Sequence, residues 1–367
     1  MRILALPAFC NRALNPYNAL LYSAVVRLGV RVEEASVWRV IWSRDDVLHI
    51  HWPEYVFNAP TLAKAVAKSV GCVLLLSGLR VRKTRIVWTI HNVRAHEQWH
   101  ARLEARMWRW FVRRVDGYIA LSAVGEAAAL ERYPELERRP GFVIPHGHYR
   151  DEYPDEVSRE AARDALGLPR TARTVAFLGA LRPYKNVPAL LAAFRGLADD
   201  DWRLVVAGQP LNDRLRTEVE RGAAADERIR LDLAFVPRER VQLYTRAADL
   251  LVFPYRDILN SGSALLALSF DRPILVPDRG AMAELRRTVG AEWVRTYDGE
   301  LTTETLATAM AWAEATPLMP KTSSATAASA IRSFICVSFL QLIGGARVGS
   351  QMVPSGRLCP PPDPHES

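Results

Sequence analysis

The residues of this chain best suited to chemistry are Asn260, Ser261, Gly262 and Ser263, a polar turn set between apolar segments. An apolar run at residues 249–254 precedes the turn, an apolar helical stretch at 264–270 follows it, and a second apolar strand is expected at 273–277. Small polar residues opening a helix leave backbone N–H groups unpaired at the positive end of the helix dipole, and a diphosphate suits such a place. The plainer reading is that Asn260 or Ser261 only caps the helix. A second motif favours the anion. Arg182 and Lys185 stand on the loop after the apolar strand expected at 174–181, at the head of another helix. In a doubly wound sheet both loops open at the carboxyl edge, so the two cations and the helix N-terminus can converge on one ligand.

The elements that must carry these loops alternate along the whole chain. In the first half, strands are expected at 3–6, 30–35, 47–52, 86–90, 117–121 and 142–145, separated by helical stretches; in the second half they recur at 174–181, 202–208, 229–235, 249–254 and 273–277. Strands separated by helices imply parallel sheets covered on both faces. The polar clusters of the first half follow its strands: Asn11 and Asn15 after the first, His51 and Glu54 after the third, His91 and Asn92 after the fourth, and His146 after the last. Residues 150–173 are charged and lack a strong apolar period, reading as a linker with a short helix. The expected units are one α/β domain at 1–155, a second at 170–315, and a tail at 316–367. In the tail only Asp363 and Glu366 are acidic; it reads as an atypical, disordered or frameshifted end.

Composition narrows the function classes. A chain of 367 residues with 49% hydrophobic residues can fill two cores. Four scattered cysteines without CxxC spacing argue against a disulfide framework and structural zinc, and fit a reducing cytoplasm. The chain opens directly on a strand, without signal-peptide patterning, and no apolar run is expected to reach membrane-spanning length, so a soluble or peripheral protein is expected. Neither a GxGxxG fingerprint nor a Walker loop is present. The net charge of +8 has no nucleic-acid motif beside it. Basic residues instead accompany apolar ones at 66–85 and 101–114, the second with Trp108, Trp110 and Phe111 among five arginines, a pattern fitting an anionic membrane surface.

Four segments, WTIHNVRAHE, IPHGHY, GALRPYKN and ILNSGSALLALSFDRPILVP, resemble the GT-B glycosyltransferases, and more narrowly the bacterial GDP-mannose:glycolipid β-1,4-mannosyltransferases of exopolysaccharide assembly. The resemblance covers about 1–315 and implies an α/β GT-B fold: two Rossmann-like domains facing a cleft, with an atypical C-terminal tail. It implies that Arg182 and Lys185 contact the diphosphate of a nucleotide sugar, with Asn260, Ser261, Gly262, Ser263 and Glu284 also on the donor side. It further implies a polyprenyl-diphosphate-linked glycolipid acceptor at the inner face of the bacterial plasma membrane. The large retaining subgroup carries two glutamates eight apart; the corresponding positions here hold Ile258 and Leu266, which favours inversion. An inverting transfer needs a base and a sink for charge. Glu54, His91 and Glu97, each after an expected strand, are the candidate bases, with Glu54 preferred; the cations and N–H groups stabilise the leaving diphosphate, so no metal is expected. The alternatives are a retaining GT-B enzyme using another nucleotide sugar, and a non-catalytic paralogue with an altered C-terminus.

Overall fold

The computed structural model describes residues 1–42, 44–94 and 99–315. Glu97 and the 316–367 tail lie outside the described residues. The first half runs β1 (Arg2–Leu6), α1 (Tyr17–Arg27), β2 (Arg31–Glu34), α2 (Val37–Trp42), β3 (Val47–Ile50), α3 (Glu54–Phe57), α4 (Leu62–Val81), β4 (Arg85–Ile90), α5 (Ala101–Val112), β5 (Gly117–Ala120), α6 (Ala123–Arg132) and β6 (Gly141–Val143). A connecting helix α7 (Arg159–Ala165) leads to β7 (Arg173–Leu178), α8 (Val187–Arg195), β8 (Trp202–Ala207), α9 (Asp213–Ala223), β9 (Ile229–Asp232) and α10 (Arg238–Ala247). The chain continues through β10 (Leu250–Val252), α11 (Gly262–Ser269), β11 (Ile274–Pro277), α12 (Met282–Val289), β12 (Val294–Tyr297) and α13 (Thr303–Ala315).

The strands form two six-stranded sheets, ordered β2-β1-β3-β4-β5-β6 and β12-β11-β10-β7-β8-β9, with every pairing parallel. Parallel strands sandwiched between helices are buried on both sides, which is why VLHI and ILVP are buried at every position. In the first sheet, Leu4, Leu48, Ile86 and Trp88 meet α4 and α5 on one face, while Ile3, Ala5, Val47 and Val87 meet Tyr22 and Val25 of α1 on the other. Strand order reverses between β1 and β3 in one sheet and between β7 and β10 in the other. These are the switch points where loops at the carboxyl ends diverge and leave a crevice.

Three helical features differ from expectation. The short α2 has too few residues to show a period. α5 buries Glu104, Met107, Trp108, Phe111 and Val112, and Trp108 and Phe111 pack with Trp88 and Tyr133 in the core. Its aromatic side therefore faces the sheet and not a lipid surface. α4 is a correction of the opposite kind: lysines at 64 and 68 interrupt its apolar run, yet over 20 residues it is long and apolar enough to cross a membrane. It lies along the sheet with only Ala65, Ser69, Cys72, Leu76 and Leu79 turned inward.

Candidate functional site

The loops after β7 and β10 sit beside each other because those strands are neighbours across the switch point. They wall a cleft of about 580 Å³, with Asn15 and Pro16 from the β1 loop opposite, and Gly179, Arg182, Lys185, Gly262 and Ser263 on the near side. Arg182 and Lys185 are thus brought together with the 260–263 turn, with the residues dividing their tasks. Ser261 is the N-cap of α11, its hydroxyl accepting from the Ala264 N–H at 3.1 Å. Gly262 and Ser263, next in line, face the cleft. Asn260 turns toward the first domain, its Oδ1 accepting from the Ser122 hydroxyl at 3.2 Å. It lines a smaller cavity of about 80 Å³ shared by Asn92, Tyr184, Lys185 and Tyr255.

Lys185 is the electrostatic centre of this wall. Its ammonium lies 6.0 Å from the Phe177 ring centroid and 5.7 Å from that of Tyr255, and no carboxylate among the described residues pairs with it. Burial, then the charge of Arg182, lowers its pKa to about 8. A cation held in this way is stabilised by whatever anion enters. Gly179 keeps the path open at φ +140°: a Cβ there would come within 2.9 Å of Ser263 Oγ and 3.3 Å of Lys185 Nζ. At 262 a Cβ would stand 3.1 Å from the Tyr149 hydroxyl.

Glu284 is placed differently from a donor ligand. Its carboxylate accepts from the backbone N–H groups of Ala123 at 3.2 Å and Val124 at 3.3 Å, capping α6 of the other domain. With the Ser122 hydroxyl to Asn260, and Arg94 to Asp257 at 3.3 Å, it ties the two halves together.

In the first half the structure gathers His51, His91 and His146 around Tyr17, whose ring centroid lies 5.9, 5.2 and 4.4 Å from theirs. Trp52 stacks on His91 at 4.3 Å. Tyr149 joins this array to the donor side, its hydroxyl 3.4 Å from His146 Nε2 and 3.3 Å from Asn15 Oδ1. Burial keeps all three imidazoles neutral, their pKa values pushed below the ordinary range, His146 to about 4. Glu54 makes no hydrogen bond to any of the three. It is buried, near Glu104, and desolvation first, with Glu104 adding to it, raises its pKa to about 7. Tyr17, Tyr22, His49 and Tyr149 are missed by sequence reasoning: the first three, on or beside apolar elements, read as core, and Tyr149, within IPHGHY, is assigned no role. The one available signal is that Tyr17, Asn18 and Tyr22 put polar atoms on the buried side of α1. Among the described residues no group of three or more His, Cys, Asp or Glu forms a metal cluster, and Cys10 and Cys72 are free.

Two six-stranded parallel sheets of this order, with loops at their carboxyl ends lining a common cleft, fit the GT-B architecture. Residues 172–313 match the family described as "Glycosyl transferases group 1". The chain is 35% identical over 292 residues to a GDP-mannose:glycolipid 4-beta-D-mannosyltransferase from Xanthomonas campestris pv. campestris, covering 79% of this chain and 77% of that protein. Among solved structures it superposes on a sucrose-phosphate synthase from Thermosynechococcus elongatus with a TM-score of 0.69 at 16% identity, covering 94% of this chain and 100% of the other. The Anabaena protein Alr3699/HepE, solved with UDP and glucose, gives 0.67 at 16% identity over 94% of this chain and 100% of that one. The chain belongs to the group 1 GT-B glycosyltransferases, the family that includes the Xanthomonas enzyme. It is a glycosyltransferase.

Proposed function

We propose that this enzyme transfers mannose from GDP-mannose, with inversion, to a hydroxyl of a polyprenyl-diphosphate-linked oligosaccharide in exopolysaccharide synthesis. The observation that carries the reading is the half-buried Lys185, with no carboxylate partner among the described residues, beside Arg182 and on the same wall of the cleft as Gly262 and Ser263. That wall neutralises the charge developing on a leaving diphosphate, so the proposed transfer needs no metal and proceeds in EDTA. The Xanthomonas relative supports GDP-mannose and a glycolipid acceptor. Ile258, buried, and Leu266, at the cleft, support inversion, since neither offers the carboxylate of the retaining subgroup. His91 is the base we favour over Glu54: its Nδ1 has no partner among the described residues, and the next residue, Asn92, lines the cavity at the 260–263 turn. The acceptor hydroxyl loses its proton to His91 and attacks the anomeric carbon as the bond to the diphosphate oxygen breaks.

Stabilisation of the protein by nucleotides tests this reading. GDP at about 100 times its dissociation constant is expected to add ~2.7 kcal/mol, with UDP and ADP adding less. Equal response to all three would remove the guanine preference, and an α-linked product in NMR would remove inversion.

The acceptor lipid implies a peripheral place on the inner face of the plasma membrane, and α2 and α4 offer the surface. Trp38 and Trp42 are 71% and 76% exposed, and Leu62, Val66, Val70 and Leu74 make an exposed stripe at four-residue spacing. Lys64, Lys68, Arg80, Arg82 and Lys83 are exposed on or just after the same helix. Between α2 and α4 lies an apolar cavity of about 240 Å³ reaching Leu6 and Ile50, at the carboxyl ends of β1 and β3. Replacing Trp38 and Trp42 together with serine is expected to weaken binding to anionic vesicles by at least about tenfold, from the apolar area withdrawn from the bilayer. Co-sedimentation measures this, and unchanged binding would discard the face.

A further inference from the structure

Behind His91 runs a continuous hydrogen-bonded chain. His91 Nε2 lies 3.0 Å from His51 Nδ1; His51 Nε2 lies 2.7 Å from the Tyr22 hydroxyl; that hydroxyl lies 2.8 Å from His49 Nδ1; and His49 Nε2 lies 2.8 Å from Thr89 Oγ1. Every member except His91 is buried. A neutral imidazole has one donor and one acceptor, and a phenol has a single proton. With the buried phenol donating its proton within the chain, two polarities are consistent. In one, Thr89 donates to His49, His49 to Tyr22, Tyr22 to His51 and His51 to His91, and all three histidines carry their proton on Nδ1. In the other each bond is reversed, all three carry it on Nε2, and His91 Nδ1 is bare. The Nε2–H form is the lower-energy tautomer of a neutral histidine side chain, and the second polarity uses it three times over.

We propose that this chain fixes the tautomer of His91, so that Nδ1 stands unprotonated and able to accept, and that Tyr22, His49 and His51 are positioning residues for the proton acceptor. The proposal rests on His91 being the base of the transfer described above. During transfer the acceptor O–H proton moves to His91 Nδ1, the acceptor oxygen bonds to the anomeric carbon, and the electron pair of the breaking C–O bond leaves on the diphosphate. His91 then holds both protons, still donating from Nε2 to His51 Nδ1, so the buried imidazoles behind it keep theirs and remain neutral. Without the chain, His91 would exchange between tautomers, and the fraction with Nδ1 protonated could not accept.

Tyr22→Phe removes both hydroxyl links at once and keeps the ring that packs on His49 and His51. Nitrogen-15 NMR of histidine-labelled protein, with His91 assigned from its absence in His91→Gln, reads the tautomer without substrate. The wild-type spectrum is expected to show a bare Nδ1 and a protonated Nε2 at His91, and Tyr22→Phe a mixture of both forms. A wild-type His91 protonated on Nδ1, or a Tyr22→Phe spectrum identical to wild type, overturns the proposal. In the transfer assay, kcat of Tyr22→Phe is expected to fall about 10- to 100-fold with KM for GDP-mannose unchanged. A fall in kcat with the tautomer unaltered also overturns it. If Tyr22→Phe does not fold, Thr89→Val at the far end is expected to loosen the tautomer in the same direction, and Thr89→Ser to restore it. Because the spectrum is independent of turnover, an enzyme that fails to transfer mannose while showing the bare Nδ1 would refute the assigned reaction and leave the chain intact.

Discussion

Lys185→Met is expected to lower kcat/KM about 100- to 1000-fold while making the unliganded protein more stable. The opposite signs distinguish a ligand-binding cation from a structural one. Methionine keeps an unbranched stem against the Phe177 and Tyr255 rings and removes only the charge. Losing one preorganised group facing a developing oxyanion costs ~2.7–4 kcal/mol of transition-state stabilisation. In the empty cleft the same charge is a liability, because desolvation opposes it and its nearest charged neighbour, Arg182, repels it. The pH dependence follows. Lys185 titrates near 8 when the cleft is empty, and a bound diphosphate favours its charged form and raises that value. Donor affinity is then complete below about pH 8 and declines as pH rises through it. Stability of the empty protein moves the other way between about 8 and the ordinary lysine value of 10.5, since there the unfolded chain binds the extra proton. Nucleotide titration and thermal unfolding across pH 7 to 10 measure both. A mutant that loses stability along with activity would make Lys185 part of the scaffold.

Most of the donor wall is legible in the sequence because it depends on local order. A strand, a polar turn and a helix place Arg182, Lys185, Gly262 and Ser263 at carboxyl ends whichever helices cover the sheet, and parallel topology then sets the two loops side by side. The acceptor wall is less legible since it is made by packing between distant elements. His49 and His51 lie on β3 and just after it, Thr89 on β4 and Tyr22 on α1, and their alignment depends on how α1 settles over the sheet. Nothing in VLHIHW separates an imidazole buried in such a chain from an ordinary core residue. The helix at 101–114 carries a different lesson. Trp108 and Trp110 stand among arginines in the sequence, but at 100° per residue Glu104, Trp108 and Phe111 share one side and Arg102, Arg106, Arg109 and Arg113 the other. Read by period, that helix is a core helix with a solvated basic face. The most exposed tryptophans, Trp38 and Trp42, belong to α2, which is too short for any period to reveal.

Asp249→Ala is expected to cost about 3–5 kcal/mol, the range for leaving a buried cation uncompensated. Asp249 precedes β10, the strand that delivers the donor turn, and its carboxylate serves three groups. It accepts from Arg163 Nη2 at 2.7 Å and from the Thr174 N–H at 2.7 Å, and it pairs with Arg159. Arg163 is only 5% exposed, and burial lowers its pKa to about 10. Its remaining donors reach the carbonyls of Ala247 and Arg170, so the guanidinium cannot swing to solvent without breaking further bonds. This cluster fastens α7 to the edge of the second sheet where β7 and β10 begin. With two guanidiniums and no carboxylate, α7 is expected to detach, lowering the melting temperature by on the order of 10 °C. Replacing Arg163 with methionine in the Asp249→Ala background should recover part of the loss, because an apolar side chain needs no counter-charge; a double-mutant cycle measures the coupling. Excess GDP should raise the mutant's melting temperature as it does that of the wild type, since the cleft residues are untouched. A cost below about 1 kcal/mol, the usual worth of an exposed ion pair, would show that Arg163 finds water in the mutant and that α7 is held by its apolar contacts alone.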